Sequence, residues 1–153
     1  IMMADLSDDF NDLKNYYFKI KDNNLDAVFG SRFTKKSKVI DYPFKKLILN
    51  RIFNTVIQIL FWNKYNDYTN AFKIYNAKVL KNMLPFVSES FNIFLEIPLK
   101  IISRKHSYEI TSINWYNRKL GAAKFNIKEL RAKYLFTLIY CFIEKVLLNK
   151  KNK

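Results

Sequence analysis

One cysteine, one histidine, two glycines and three prolines occur in 153 residues. Each scarcity excludes something. A lone Cys141 rules out an intramolecular disulfide and a cysteine metal cluster, and it suits a reducing, cytoplasmic setting. The lone His106 follows Lys105 and reads as a surface residue rather than a catalytic base. So few glycines and prolines argue against long loops and an all-β design. No stretch matches a Gly-rich phosphate loop, a helix-turn-helix, zinc-ligand spacing or an internal repeat. No basic segment leads into a long apolar one, so no signal peptide is read. Acids are also in deficit: 13 Asp and Glu face 27 Lys and Arg, a formal charge of +14. That excess calls for an anionic partner, whether nucleic acid, anionic lipid or a phosphorylated substrate.

Half the residues are hydrophobic, which suffices for one domain with a real core and excludes disorder. The first nine residues organise the reading. Ile1 to Ala4 is apolar and reads as the end of a buried strand, and Asp5, Asp8 and Asp9 follow within five positions. Asp8 or Asp9 is placed to cap the next helix. A carboxylate at the carboxyl end of a strand in an α/β sheet stands where such folds bind ligands, and hard oxygens there suit Mg²⁺ or Mn²⁺. Because the chain starts inside an apparent strand, we expect it to be the later part of a longer protein.

Asp9 to Asp22 reads as a surface helix packed through Phe10, Leu13, Tyr17 and Ile20. Leu25 to Phe29 reads as a strand with Gly30-Ser31 as the turn beyond it, parallel to the first strand and placing Arg32 near Asp5. A basic loop, Lys35-Lys36-Ser37-Lys38, comes next. Pro43 opens a helix to about Phe61, apolar nearly all round except for Arg51 and Asn54, and so either buried or membrane-facing. An Arg in that surface needs an anion, from a ligand or from an internal acid.

Residues 66–70 read as a polar turn, Ala71 to Tyr75 as a strand, and Ala77 to Met83 as a short helix. Ser90 is expected to cap a helix reaching Ser103, with Glu96 inside it. Ser107 to Trp115 alternates as a strand. Tyr116 to Lys124 forms a basic loop, and the last helix runs from about Ile127 to Leu148. Its uncharged run, Tyr134 to Ile143, is ten residues long, against about 20 for a spanning helix. Flanking lysines suit a helix lying in the membrane interface, and a core-packed terminal helix is the alternative.

Six stretches, in order, resemble the family 2 glycosyltransferases, in their dolichol-phosphate mannosyltransferase-like, or polyprenyl-phosphate sugar transferase, branch. Met3-Ala4-Asp5-Leu6-Ser7-Asp8-Asp9 resembles that branch's Asp-Ala-Asp-Leu-Gln-Asp-Pro segment, with Met3 at the first Asp and Ser7 at the Gln. Val28-Phe29-Gly30-Ser31-Arg32-Phe33 resembles its Gly-Ser-Arg segment. Asn50-Arg51 with Asn54 fits Ser-Arg-x-x-Asn, and Asp67 to Tyr75 fits Asp-x-Thr-Ser-Gly-Phe-Arg-x-Tyr with Asn70-Ala71 at the Ser-Gly. Phe94-Leu95-Glu96 resembles the Glu-bearing helix. Arg118 to Lys124 resembles the closing Arg-x-x-Gly-x-Ser-Lys segment, with Ala123 at the Ser.

The resemblance implies an α/β glycosyltransferase A fold, Rossmann-like with a mixed sheet, whose nucleotide-binding N-terminal half precedes Ile1. It divides the chain into residues 1–126, the later part of the catalytic domain, and 127–153, an amphipathic interface helix with a basic tail. It implies a sugar moved from a nucleotide-diphosphate donor to a polyprenyl (dolichyl or undecaprenyl) phosphate, with Mg²⁺ or Mn²⁺, by a peripheral enzyme on the cytoplasmic face of an anionic membrane. Asp5, Arg32 and Arg118 would be catalytic, Asp5 and Ser7 would hold the metal, and Arg51, Asn70, Lys73, Glu96 and Lys124 would bind substrate. An acceptor that is already a phosphate anion needs cations to align it rather than a strong base, which fits arginines without a histidine. The rival readings are an inactive relative and a non-catalytic basic module on anionic membrane or nucleic acid. The acids at positions 5, 8 and 9 and the placing of aromatics on apolar helix faces argue against nucleic acid as partner.

Overall fold

The computed structural model describes residues 1–3, 8–117 and 127–151. Its elements in order are α1 (Phe10–Asp22), β1 (Ala27–Ser31), β2 (Val39–Ile40), α2 (Phe44–Phe61), β3 (Lys73–Tyr75), α3 (Ala77–Asn82), α4 (Ile93–Ser103), β4 (Tyr108–Ser112), β5 (Trp115–Tyr116) and α5 (Ile127–Lys151). The chain is thus α/β with a mixed sheet. In the larger sheet β1 is central, antiparallel to β3 and parallel to β4. In the smaller one β2 pairs parallel to β5.

Buried on both faces, β1 separates two apolar layers. Ala27 and Phe29 face a large core with Ile57 and Phe61 of α2, Leu95, Leu99 and Ile101 of α4, and Leu138 and Cys141 of α5. Val28 faces a smaller one with Tyr16 of α1, Phe72 and Ile113. Gly30 is where the second layer crowds the strand. A Cβ there would lie 1.9 Å from the Tyr16 hydroxyl and 2.8 Å from the Phe72 carbonyl. Any side chain would push Tyr16 off the sheet.

Several expectations are corrected. Gly30-Ser31 is not a turn but the end of β1. The two N-terminal strand segments are not neighbours. Ile1 N donates to Lys73 O (2.8 Å) and Lys73 N donates back to Ile1 O (3.0 Å). That double bond marks an antiparallel pair, so β3 lies between residues 1–3 and β1. Helix α1, capped by the Asp9 carboxylate on Asn11 N (2.9 Å), packs through a different face. Phe10, Leu13 and Tyr17 are exposed and Tyr16 is fully buried, while Ile20 packs against the smaller core as expected. The inward polar groups find partners at the sheet edge: Asp12 accepts from Asn114 N, and Lys19 pairs with Glu109. Burial, offset in part by that bond, raises the Asp12 carboxyl.

Helix α4 begins at Ile93, and the Ser90 hydroxyl donates to Asn92 Oδ1 instead of capping it. The Ser107–Trp115 run divides between β4 and β5, which belong to different sheets. Pro98 sits inside α4. It lacks the N–H that would bond the Phe94 carbonyl. The Lys73 ammonium reaches from β3 to that carbonyl at 3.1 Å.

Candidate functional site

β1 and β4 run parallel, so their carboxyl ends share one edge, and antiparallel β3 starts there. Ligands collect at such an edge in open α/β sheets. Residues 30–34, 50–54, 66–73 and 112–116 converge on it through short hydrogen bonds. Ser31 Oγ donates to Asn66 Oδ1 (2.5 Å), and Asn66 Nδ2 donates to the Phe33 carbonyl (3.0 Å). Thr34 bonds Ser112 and Ser37. Asp8 forms a bridge with Trp115, and its carboxylate accepts from Met3 N (3.5 Å). Residues 3 and 8 therefore both reach this neighbourhood.

Arg32 is the best-held cation here. Its Nε and Nη2 donate to the two oxygens of Asp67 at 2.9 and 2.7 Å, and its backbone N–H donates to Asp67 Oδ2 at 2.9 Å. Both side chains are buried. Burial alone would lower the guanidinium pKa, but the Asp67 carboxylate raises it beyond the ordinary arginine value. The rings of Phe33, Tyr42 and Trp115 stand 5.5, 5.5 and 5.8 Å from the guanidinium. Arg32 is thus a strut between the end of β1 and the loop before β3. Tyr42 carries no signal in the sequence, and Asp67 heads a motif without an assigned role there; the separation of 35 positions between Arg32 and Asp67 gives no local cue to their pairing.

Arg51 differs. It is half-buried, its Nη1 donates to the Asn66 carbonyl (2.9 Å), and its guanidinium lies 4.5 Å from the Phe33 ring. It has no carboxylate partner among the described residues. Its neighbours on α2 fix the same loop. Asn50 Nδ2 donates to Thr69 Oγ1 (2.8 Å), and Asn54 Oδ1 accepts from Tyr68 N (2.6 Å). A guanidinium oriented by one carbonyl and one ring keeps donors for a second, bidentate ligand.

The remaining described candidates point inward. Asn70 is buried, with Nδ2 donating to the Gly30 carbonyl (3.1 Å) and Oδ1 accepting from Phe72 N. The Lys73 ammonium donates to the carbonyls of Tyr68 (3.0 Å), Asn70 and Phe94. Burial holds it down to about 7, against the pull of Asp67. Glu96 is bonded to a different set of residues. Its oxygens accept from Val87 N (3.0 Å) and Ser88 N (2.8 Å), and Lys100 pairs with it at 2.8 Å. Burial would raise the Glu96 pKa; the Lys100 and Ser88 bonds, with Val87 N, lower it overall. His106 contacts Asp26 at 3.2 Å, at the far end of β1.

Asp5, Ser7, Arg118 and Lys124 lie outside the described residues. Among the described residues no three His, Cys, Asp or Glu side chains gather as metal ligands. By their chemistry, the Asp5 carboxylate and Ser7 hydroxyl are hard oxygens of the kind Mg²⁺ and Mn²⁺ take.

No family model matches the chain, and no solved structure matches it. It is 23% identical over 112 residues to a polyprenol monophosphomannose synthase of Mycolicibacterium smegmatis, a match covering 72% of this chain and 42% of that protein. The chain therefore spans less than half the length of this curated relative. The likeness is distant and indicates, at the coarse level, a relationship to polyprenyl-phosphate glycosyltransferases.

Proposed function

We propose that this chain is the later part of a glycosyltransferase that moves a sugar from a nucleoside-diphosphate donor to a polyprenyl phosphate at the cytoplasmic surface of a membrane. The observation that carries the reading is Arg51. It is a guanidinium held by the Asn66 carbonyl and the Phe33 ring near the carboxyl edge of the sheet, with no carboxylate to neutralise it among the described residues. The distant relative supports the reaction class, and the +14 charge supports a phosphate-rich partner.

In this reading Arg51 holds the acceptor phosphate, assisted by Arg118 and Lys124. Arg32 with Asp67 positions the loops that present it, and Asn70 and Lys73 keep residues 68–73 in place behind it. Asp5 and Ser7 would hold Mg²⁺ or Mn²⁺, which when bound neutralises charge on the departing diphosphate. A nucleic-acid module is the poorer reading, because the rings of Phe33, Tyr42 and Trp115 already surround Arg32.

Arg51→Ala tests the assignment in the protein with any flanking sequence retained. Charge-assisted bonds contribute roughly 1.5–3 kcal/mol, so KM for polyprenyl phosphate should rise about 10- to 100-fold. Acceptor-independent hydrolysis of the donor should stay within about twofold, because Arg51 is given no part in leaving-group departure. Equal losses in both reactions would remove Arg51 from the acceptor site.

A further inference from the structure

Helix α2 is largely apolar, yet it buries an asparagine. Asn54 is 0% exposed. Burying an amide costs free energy unless its groups are bonded. A leucine of similar size would pack at such a position without needing partners. The side chain therefore has a task besides packing.

Its bonds show the task. Asn54 Oδ1 accepts from the backbone N–H of Tyr68 at 2.6 Å. Asn54 Nδ2 donates to the Asn50 carbonyl (2.8 Å) and to Asn50 Oδ1 (2.9 Å). With its oxygen engaged there, Asn50 turns its own Nδ2 to Thr69 Oγ1 at 2.8 Å. The relay leaves the loop at Tyr68, crosses two side chains of α2 and returns at Thr69. Reversing the Asn54 amide would set donor against donor at Tyr68, so the relay has one arrangement.

The loop is thus held from two sides. Asn66 is tied to Ser31 and to the Phe33 carbonyl, and Asp67 to Arg32. Tyr68 and Thr69 are tied to α2. Arg51 joins the two sides, since its Nη1 donates to the Asn66 carbonyl. At 100° per residue Asn54 lies one turn beyond Asn50 and Arg51 and between them in angle. The same turn of α2 therefore carries the guanidinium and fixes the loop whose carbonyl holds it. Without an acceptor, the buried Tyr68 N–H would force the loop to shift, and the Asn66 carbonyl two residues back would shift with it.

We propose that Asn54 is a positioning residue for phosphate binding by Arg51. By holding Tyr68 it keeps the Asn66 carbonyl in place, and that carbonyl sets which guanidinium donors are left for a phosphate monoester. The proposal rests on the acceptor-site reading of Arg51 and deepens it. Asn54 is fully buried and does not touch the ligand.

Calorimetric titration with geranyl phosphate, a short isoprenyl phosphate, tests this in the protein with any flanking sequence retained. Asn54→Leu should raise Kd about 5- to 20-fold. In an Arg51→Ala background the same substitution should add less than about twofold, because nothing is left for it to position. Thr69→Val, at a half-buried position, cuts the relay at its other end with little change of shape. It should raise Kd about two- to fivefold with Arg51 present and leave it unchanged without, and it carries the test if Asn54→Leu does not fold. Unchanged affinity in both variants would overturn the proposal. So would an equal loss with and without Arg51, which would make the relay a matter of stability alone. The titration needs no sugar donor. A chain that shows this coupling but never transfers sugar upholds the role of Asn54 and sinks the transferase reading alone.

Discussion

Replacing Asp67 by alanine should lower the unfolding free energy by roughly 3–5 kcal/mol, the usual cost of stranding one partner of a buried ion pair. Arg32 would keep its charge in a site where Asp67 is its bidentate acceptor and three rings exclude water. Its backbone N–H would also lose an acceptor. Against a typical total of about 5–15 kcal/mol, much of the chain would unfold at moderate temperature. Asp67→Ala with Arg32→Met should recover much of the loss, because the stranded charge goes too. Urea unfolding measures both. A loss below about 1 kcal/mol for Asp67→Ala would mean that the pair is open to solvent and that Arg32 is free to act otherwise.

Stability should climb with pH from about 7 to 8.5, by roughly 1–2 kcal/mol, because of Lys73. Burial holds its ammonium down to about 7 in the folded chain, whereas an unfolded lysine titrates near 10.4. Over that window the unfolded state binds more protons, so raising the pH favours folding. Above it the climb slackens. Burial pushes the Cys141 thiol up to about 12, while an unfolded cysteine loses its proton near 8.5. Lys73→Met should flatten the climb and lower stability throughout, since the carbonyls of Tyr68, Asn70 and Phe94 lose a donor. A flat profile in the unsubstituted protein, or the same climb in Lys73→Met, would contradict this account of Lys73.

How much of this was legible in the sequence varies by element. Helix α2 was legible in extent, since Pro43 marks its start and the apolar run its length. Its exposure was not, because a helix apolar all round looks the same in a core or at a lipid surface. Helix α1 misled through its phase. Phe10, Leu13 and Tyr17 read as its packed residues, and only the sheet-edge partners Asn114 and Glu109 of Asp12 and Lys19 show which side faces inward.

Sheet order was hidden because local pattern marks a strand but not its neighbour. The insertion of β3 beside β1 depends on contacts some 45 residues apart in sequence. In the site, the motif positions were visible while their division of labour was not. Arg32 and Arg51 look alike in sequence, yet one is spent on Asp67 and the other is aimed by a carbonyl. The lysine that replaces a missing proline-blocked hydrogen bond in α4 could be recognised only once β3 and α4 were seen side by side.

Sugar transfer itself is the most direct measurement. The protein, with any flanking sequence retained, is incubated with polyprenyl phosphate, Mg²⁺ or Mn²⁺, and nucleoside-diphosphate hexoses labelled in the sugar. The account predicts label entering the organic phase only when acceptor is present, and its loss in Asp5→Asn. Label that stays in water with every donor, or organic label that survives both chelation and Asp5→Asn, would contradict it.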